Sequence, residues 1–411
     1  MQASPPTRTS VFTAAVIVAA LGYFVDIYDL ILFSIVRVSS LHDLGVLDQS
    51  EVTNQGLYLI NMQMGGMLLG GMLWGILGDK RGRLSVLFGS ILLYSLANIA
   101  NGLVQTIDQY AWLRLIAGIG LAGELGAGIT LVSESLPKEK RGYGTMIVAT
   151  VGVSGAMLGY WVGEKLGWRN AYFVGGGLGL LLLLLRVSVF ESGMFRQVQA
   201  QASVRRGDFL SLFTNSARLG KYLRVLLIGV PLWFVVGILV TLAPEFGRAL
   251  GLTGEVTAGL AVFWCYFGLV FGDFFSGTLS QLWHSRNKAL KVFLVFCAVL
   301  VAIYLFALRG ASPTTFYAVC FVLGISVGFW ALFVTVAAEQ FGTNLRATTA
   351  TTAPNFARGA VVGLVPAFKS LSSALGFVPG AAVLGGVALL VAFWAVSTLP
   401  ESYGKDLDYV E

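Results

Sequence analysis

Residues 75–83 read Gly-Ile-Leu-Gly-Asp-Lys-Arg-Gly-Arg and form a short basic segment between two long apolar stretches. The glycines of this segment allow two helix ends to approach closely, because glycine carries no side chain that would hold them apart. Asp79 is followed at once by the cations Lys80, Arg81 and Arg83. The segment predicts a tight loop between two membrane-spanning helices, although any tight cytoplasmic turn of a membrane protein would share its glycines and its positive charge.

The composition of the chain indicates that its solvent is a lipid bilayer. Of its 411 residues, 56% are hydrophobic and only 12% are charged, whereas soluble domains carry about 25% charged residues. A soluble fold of this length could not bury so much apolar surface. The net charge of +6 therefore indicates which side of the membrane the loops occupy, because the cations lie in loops between apolar stretches. We expect an integral membrane protein that contacts lipid and has no nucleic-acid partner.

Twelve apolar segments follow one another along the chain. Each has roughly 21–29 residues, which is enough to cross a hydrocarbon core about 30 Å thick with some tilt. They predict an all-α membrane protein with twelve transmembrane helices. The predicted spans, numbered first to twelfth, cover residues 11–36, 54–77, 84–104, 108–133, 143–163, 168–190, 223–246, 255–283, 289–309, 314–338, 348–374 and 377–399.

A long polar stretch, residues 191–222, separates the sixth span from the seventh. It predicts a cytoplasmic linker between an N-terminal bundle of residues 1–190 and a C-terminal bundle of residues 223–411. Of the 27 Lys and Arg residues, 19 lie on the side of the N-terminus, six lie on the opposite side, and Arg114 and Arg358 lie inside spans. Cytoplasmic loops carry the excess of Lys and Arg, so both termini are expected in the cytoplasm. We expect a monomer in the inner membrane of a bacterium.

The two halves of the sequence repeat each other. The pattern Glu-x-x-Pro-x-x-x-Arg at 134–141 returns, 205 positions later, as Glu-x-x-Gly-x-x-x-Arg at 339–346. Gly75 of the opening segment has a counterpart in Gly277, 202 positions later. Recurrence in the same order predicts two pseudo-symmetric six-helix bundles.

Charged and polar residues at the cytoplasmic ends of the helices are expected to act as gates. Each exposed pair contributes about 1 kcal/mol or less, but a network of several pairs can bias an equilibrium between two conformations. Gln281 stands in the second half where the first half has Asp79, so we expect the stronger latch in the N-terminal half. The predicted gating residues are Asp79, Arg81, Arg83, Glu134, Arg141, Gln281, Arg286, Glu339 and Arg346.

Further motifs carry a resemblance to a known family. They are Asp-Ile-Tyr-Asp at 26–29, Arg-x-x-x-Gly-x-Gly-x-x-Gly-Glu at 114–124 and Leu-Pro-Glu-Ser-Tyr-Gly-Lys at 399–405. With the segment at 75–83, they make the chain similar to major facilitator superfamily (MFS) transporters, most of all to the sugar-porter, metabolite:proton and aromatic-acid:proton symporter branches. The resemblance implies two bundles that alternate access to a central site. A sugar substrate is disfavoured because the seventh span lacks the paired glutamines of sugar porters. Drug export is disfavoured because the fifth span lacks the Gly-Pro step of drug:proton antiporters.

Acidic side chains inside the first span are candidates for proton coupling. Asp26 and Asp29 share one helix face, and an ionised carboxylate at mid-bilayer costs at least about 2.5–3.5 kcal/mol. Burial favours the protonated acid and a nearby arginine favours the ionised one, so a moving arginine would switch the acid. We expect Arg114 to be this arginine, as the family resemblance also implies, and Glu124 to be a second protonatable group or a link to the inner gate. The alternatives are a structural polar pair and, for Arg114, a side chain that reaches the outer interface.

Arg358, inside the eleventh span, is the candidate for substrate recognition. Val153 stands 205 residues earlier, so this cation belongs to one half only. Arginine recognises planar carboxylates, and the residue therefore indicates an anionic substrate; the alternative is a structural partner for Asp273. Aromatic residues could wall such a site, although each alone is more often a packing residue. The residues expected around Arg358 are Asn355, Tyr28, Trp233, Trp264, Tyr266 and Trp330.

These residues predict a secondary transporter that takes up a small organic anion or carboxylate together with protons. A uniporter, or a proton antiporter that exports a small solute or a metal cation, is the nearest alternative, and a receptor without transport is a remote one. The metalloprotease motif H-E-x-x-H and the hydrolase motif G-x-S-x-G are missing from the sequence, so we expect no catalytic residues, no cofactor and no metal site. Inert packing is expected of Cys265, Cys297 and Cys320.

Overall fold

The computed structural model describes residues 14–81, 83–124, 141–191 and 211–405, and most of them lie in α-helices. Helices occupy all twelve predicted spans, which confirms the all-α membrane fold. Eight of the described helices are long and apolar enough to cross a bilayer. Within the described residues, the second, third, fourth and eleventh spans are helical but fall short of that length or apolar content.

Short loops join the first span to the second, the third to the fourth and the fifth to the sixth. The first span, Ala14–Asp43, continues past its predicted end at residue 36. The fifth span consists of two helical pieces that meet at Ser154. The bounds of the second to sixth spans are Gln49–Arg81, Arg83–Asn101, Ile107–Leu121, Arg141–Val153 with Gly155–Leu166, and Trp168–Glu191.

The last six spans contain several interruptions. The seventh span begins at Ser216, inside the predicted linker, because Asn215 caps this helix by accepting hydrogen bonds from the N–H groups of Ala217 and Arg218. The division into bundles at 191–222 stays a prediction. The helices are Ser211–Thr214, Ser216–Phe234 with the π-helix Val235–Val240, Ala243–Ala249, Ala258–Leu282, Arg286–Ala302 with the π-helix Ile303–Ala307, Pro313–Val327 with Trp330–Glu339, Thr343–Gly359 with Val361–Leu375, and Phe377–Thr398.

Glycines bring the second span against the fourth and the eighth span against the tenth. A side chain at Gly66 would overlap the carbonyl oxygen of Leu115, and a side chain at Gly268 would overlap that of Phe321. Gly66 and Gly268 are 202 positions apart, within the spacing of the sequence repeat. The same close approach recurs at Gly70 and Gly118 in the first half and at Gly272 and Gly324 in the second. Both bundles are therefore built on the same helix-pair contact.

The tenth span is broken between Val327 and Trp330. Asp273, on the eighth span, accepts a hydrogen bond of 3.0 Å from the backbone N–H of Ala331 at the start of the second piece. A carboxylate is stabilised at a helix N-terminus by the unpaired N–H groups and the helix dipole. Asp273 thus holds the position at which the second helix begins, and with it the place of the buried Trp330 ring.

The two halves meet along the first, second and fifth spans on one side and the eighth and eleventh on the other. A side chain at Gly359 would overlap Leu68, so the second and eleventh spans touch closely. Near the end of the fifth span, the Tyr160 ring packs on Phe263 with the ring centroids 5.3 Å apart. This interface between the halves is where buried charges from both bundles meet.

Candidate functional site

Arg358 and Asp26 form an ion pair between the two halves of the molecule. Arg358 Nη2 lies 3.3 Å from Asp26 Oδ2, and both side chains are 0% exposed. Asp26 belongs to the first span and Arg358 to the eleventh. Removing one partner of a buried ion pair leaves an uncompensated charge and is strongly destabilising, so each of these charges depends on the other.

Two tryptophan rings enclose the Arg358 guanidinium. Its central carbon lies 5.8 Å from the centre of the Trp233 ring and 5.6 Å from that of Trp330. The two indoles pack edge to face, with centroids 5.9 Å apart and an interplanar angle of 78°. Cations over aromatic faces are attracted by the ring quadrupole. The cluster therefore combines a held cation with flat apolar walls.

Several polar atoms of this cluster are buried without a hydrogen bond. Arg358 retains Nε and Nη1, and Asp26 retains Oδ1. The indole N–H groups of Trp233 and Trp330 are also unbonded. Unbonded buried groups are rare because each costs about 1–3 kcal/mol, and they concentrate where a ligand or ordered water is bound. Donors outnumber acceptors in this set, which suits an anion.

Arg114 lies within electrostatic range of Asp29, but its hydrogen bonds go to other residues. Its guanidinium donates hydrogen bonds to Gln63 Oε1 and, at 3.2 Å, to Tyr172 Oη, and it lies over the Phe33 ring. Arg358, and not Arg114, is therefore the arginine that pairs with Asp26, and the coupling role of Arg114 stays a prediction. Gln63 and Tyr172 hold Arg114 within the N-terminal half, so it acts on Asp29 only through space.

Asp29 is fully buried and forms no ion pair with a described residue, and the Asn98 amide lies beside its carboxylate. The carboxylate rests against Gly175 of the sixth span, where a side chain would overlap it. Asp26 and Asp29 thus share a helix face but not a partner. Asp26 points to the other half of the molecule, and Asp29 points into its own half.

Glu124 forms a buried ion pair with Arg186. The two groups make two hydrogen bonds, of which Arg186 Nη1 to Glu124 Oε2 measures 3.0 Å, and both side chains are at most 2% exposed. A side chain at Gly22, one helical turn before Asp26, would overlap the pair. Arg186 lies inside the predicted span 168–190, and a cation within an apolar span is the sequence signal for such a pair.

An ion pair that the sequence analysis misses joins the halves near the end of the first span. Arg37 Nη2 lies 2.7 Å from Glu245 Oε1, and Thr53 donates a hydrogen bond of 3.1 Å to the same oxygen. Arg37 also donates to the Thr241 carbonyl oxygen at 3.3 Å. Arg37 and Glu245 are 208 positions apart in the sequence. Arg37 directly follows the predicted first span, residues 11–36, but the helix continues to Asp43 and carries Arg37 within it.

Arg286 and Glu339, two predicted gating residues, form an ion pair of 3.1 Å within the C-terminal half. Ser280 accepts a hydrogen bond from Arg286, whereas the predicted gating residue Gln281 is exposed. Nearby, burial alone would raise the pKa of the Glu401 carboxyl. Hydrogen bonds from Ser285 Oγ and from backbone N–H groups outweigh burial and lower that pKa. These contacts join helix ends of one bundle.

The other predicted gating side chains lie outside the described residues. This applies to Glu134, which falls in the range 125–140, and to side chains at both helix ends of the opening segment. Their gating roles stay predictions. The residues concerned are Asp79, Arg81, Arg83, Glu134, Arg141 and Arg346.

The structure brings some of the predicted substrate residues to Arg358 and leaves others elsewhere. Tyr266 is buried within electrostatic range of Arg358 and Asp26. Asn355, one turn from Arg358, donates a hydrogen bond of 2.7 Å to the Ala122 carbonyl oxygen of the other half. Tyr28 donates to the Ala171 carbonyl oxygen, inside the N-terminal half. Trp264 packs in an aromatic cluster with Phe263, Phe267 and Phe321.

Comparison with known proteins agrees over nearly the whole chain. The family model described as Major Facilitator Superfamily matches residues 10–377. A protein of Haemophilus influenzae that is inferred to transport a metabolite is 29% identical over 96% of this chain and 97% of its own length. The 3-(3-hydroxy-phenyl)propionate transporter of Escherichia coli is 28% identical over 84% and 86%. The solved proton:xylose symporter XylE superimposes with a TM-score of 0.71, over 96% and 97% of the two chains, at 17% identity.

The Glu245→Ala variant is expected to lose about 3–5 kcal/mol of stability, because it leaves the buried Arg37 charge unpaired. The control is Asp43→Ala, which breaks the pair with Arg169 at side-chain exposures of 51% and 37% and is expected to lose about 1 kcal/mol or less. Thermal unfolding of the purified protein in detergent measures both. Equal small losses would contradict a latch between Arg37 and Glu245.

Proposed function

The chain belongs to the major facilitator superfamily, and we propose that it is a proton-coupled symporter that takes up a small organic anion by alternating access. Membership of this family makes the chain an integral membrane transporter and not an enzyme. The observation that carries the proposal is the Arg358–Asp26 pair, with its unbonded donors between two indole rings. The single carboxylate that holds Arg358 lies in the opposite half of the molecule.

Substrate binding and proton binding are linked through this pair. A carboxylate substrate that takes the guanidinium of Arg358 removes the cation that stabilises ionised Asp26. A buried carboxylate without a cation is costly, so Asp26 then binds a proton. Each event favours the other, because the coupling between two binding steps is reciprocal. A monoanionic substrate and one proton therefore enter together with no net charge.

The walls of the site favour a planar acid. Trp233 and Trp330 present edge-to-face rings beside Arg358, and the Phe333 ring continues this surface with its centroid 5.0 Å from that of Trp330. Aromatic substrates gain about 0.5–1.5 kcal/mol from such ring contacts beyond the area they bury. One relative carries an aromatic carboxylate in its name, in keeping with this substrate class. A metal cation, the alternative cargo, does not suit a site in which N–H donors outnumber acceptors.

Alternating access needs a barrier on each side of the site. Arg37–Glu245 joins the first and seventh spans of opposite halves and would close the predicted outer side. On the inner side, the cytoplasmic charges Asp79, Arg81 and Arg83 would act as gating residues. With both termini in the cytoplasm, a bacterial inner-membrane monomer would rock residues 1–190 against residues 223–411 about the central pair.

The substrate class is tested by a thermal-shift screen of organic acids, their neutral amides, amino acids, nucleosides and divalent cations. We expect planar monocarboxylates to stabilise the wild type by about 2.7 kcal/mol at a hundred times Kd. We expect Arg358→Lys to lose this stabilisation, because the ammonium keeps the charge but not the forked geometry. The control is Arg169→Lys at the surface. Stabilisation by amides or cations, but not by acids, would contradict the proposal.

Proton coupling is tested by uptake of the selected acid into proteoliposomes. We expect Asp29→Asn to abolish uptake against a concentration gradient and to spare counterflow, because exchange does not require release of a proton. Asp29 is the safer position for this test, since among the described residues its carboxylate has no ion pair to lose. Asp26→Asn is expected to behave in the same way. Uphill uptake that persists in both variants would make the protein a uniporter or couple it through other residues.

A further inference from the structure

The third span carries a stripe of buried polar side chains, Tyr94, Ser95, Asn98 and Asn101, here called the polar stripe. Each side chain is at most 1% exposed. Positions 94, 95, 98 and 101 follow the helical repeat and lie on one face. Among the described residues, the Tyr94 hydroxyl, the Ser95 hydroxyl and both amide atoms of Asn101 have no hydrogen bond. The Asn98 amide lies beside the Asp29 carboxylate. Polar groups buried in this way usually bind ordered water.

The polar stripe faces Asp29 across a surface of glycines. Gly176 of the sixth span lies against the Ser95 backbone, and a side chain at Gly179 would overlap the Ser95 hydroxyl. Asp29 rests on Gly175 of the same surface and has Asn98 as its neighbour. The glycines let the sixth span pack directly against the Asp29 carboxylate and the Ser95 hydroxyl, where any larger side chain would displace these polar atoms.

One end of the stripe approaches the surface on the predicted outer side. Asn101 is the last residue of the third span, and Arg169 donates hydrogen bonds of 3.2 and 2.8 Å to the carbonyl oxygens of Gly102 and Val104 just beyond it. Arg169 is 37% exposed in its side chain and pairs with Asp43 at 3.1 Å. At the other end, Tyr94 lies within electrostatic range of Asp29, Glu124 and Arg186.

We infer that the polar stripe is a hydrated proton path inside the N-terminal half, which delivers protons from the outer side to Asp29 without passing through the substrate site. The inference rests on the proposed proton coupling. A hydronium proton would pass along waters held by Asn101, Asn98 and Ser95 and bind a carboxylate oxygen of Asp29, which becomes neutral. From Asp29 the proton can reach Asp26, three residues away on the same helix face.

The charges around Asp29 are compatible with this role. Asp26 faces it from its own span and disfavours a second negative charge. Arg114 on the fourth span favours the ionised form through space, but its hydrogen bonds go to Gln63 and to Tyr172 of the sixth span. Asn98 stands on the third span. Asp29 can thus gain and lose a proton without breaking an ion pair.

The inference is tested by time-resolved infrared spectroscopy of the full protein in lipid after photorelease of caged protons. The carboxyl band that disappears in Asp29→Asn reports the protonation of Asp29. In Asn101→Leu, at the outer end of the polar stripe, the side chain has a similar volume but binds no water, and we expect this band to rise about tenfold more slowly, a barrier increase of about 1.4 kcal/mol. Its final amplitude should be unchanged. Ser95→Ala should slow the band less.

The matched control is Ser90→Ala on the same helix, because the buried Ser90 hydroxyl already donates to the Leu87 carbonyl oxygen at 3.0 Å. This variant should keep the wild-type rate.

Equal rates in all variants would overturn the path. A changed amplitude at an unchanged rate in Asn101→Leu would also overturn it, since Asn101 would then set proton affinity and not the route. A band that responds to Na⁺ in place of protons would overturn it in favour of a sodium site. If the wild type accumulates no acid, the proposed function fails, while the infrared result tests the path independently.

Discussion

The low dielectric of the membrane interior is the constraint on which this structure depends, and the Arg358–Asp26 pair is where it acts most directly. Neither charge is stable alone at that depth, and the two residues belong to opposite halves of the molecule. The halves are therefore joined at their centre by an interaction that a carboxylate ligand can replace. Binding, protonation and movement of the halves become linked by the same electrostatic requirement.

The rest of the fold supports this pair through backbone contacts. Glycine pairs bring the second span to the fourth and the eighth to the tenth so closely that no side chain separates them. The break in the tenth span, held by Asp273, starts a helix at Trp330, and the π-helix that follows Phe234 marks the end of the α-helix that carries Trp233. Rigid helix pairs and local irregularities together place two indoles and one guanidinium in contact.

Hydropathy, charge placement and the internal repeat predict the twelve-helix fold, because each follows from local composition. Asp26, Arg358, Trp233 and Trp330 can also be named from the sequence, since a charge or a large ring inside an apolar span is conspicuous. Their pairing cannot be predicted in this way. The choice of Arg358 over Arg114 depends on Gln63 and Tyr172, which hold Arg114 elsewhere. The Arg37–Glu245 contact joins residues 208 positions apart and becomes visible only when the halves are placed together.

The central claim is that a bound anion replaces Asp26 at Arg358 and that Asp26 then takes a proton. Calorimetric titration of the selected acid, in buffers with different ionisation enthalpies, measures the protons taken up on binding without any gradient. The account predicts that the wild type takes up about one proton for each anion bound, and that Asp26→Asn binds the anion with little or no proton uptake, by linkage. Binding to the wild type without proton uptake, or equal uptake in Asp26→Asn, would contradict it.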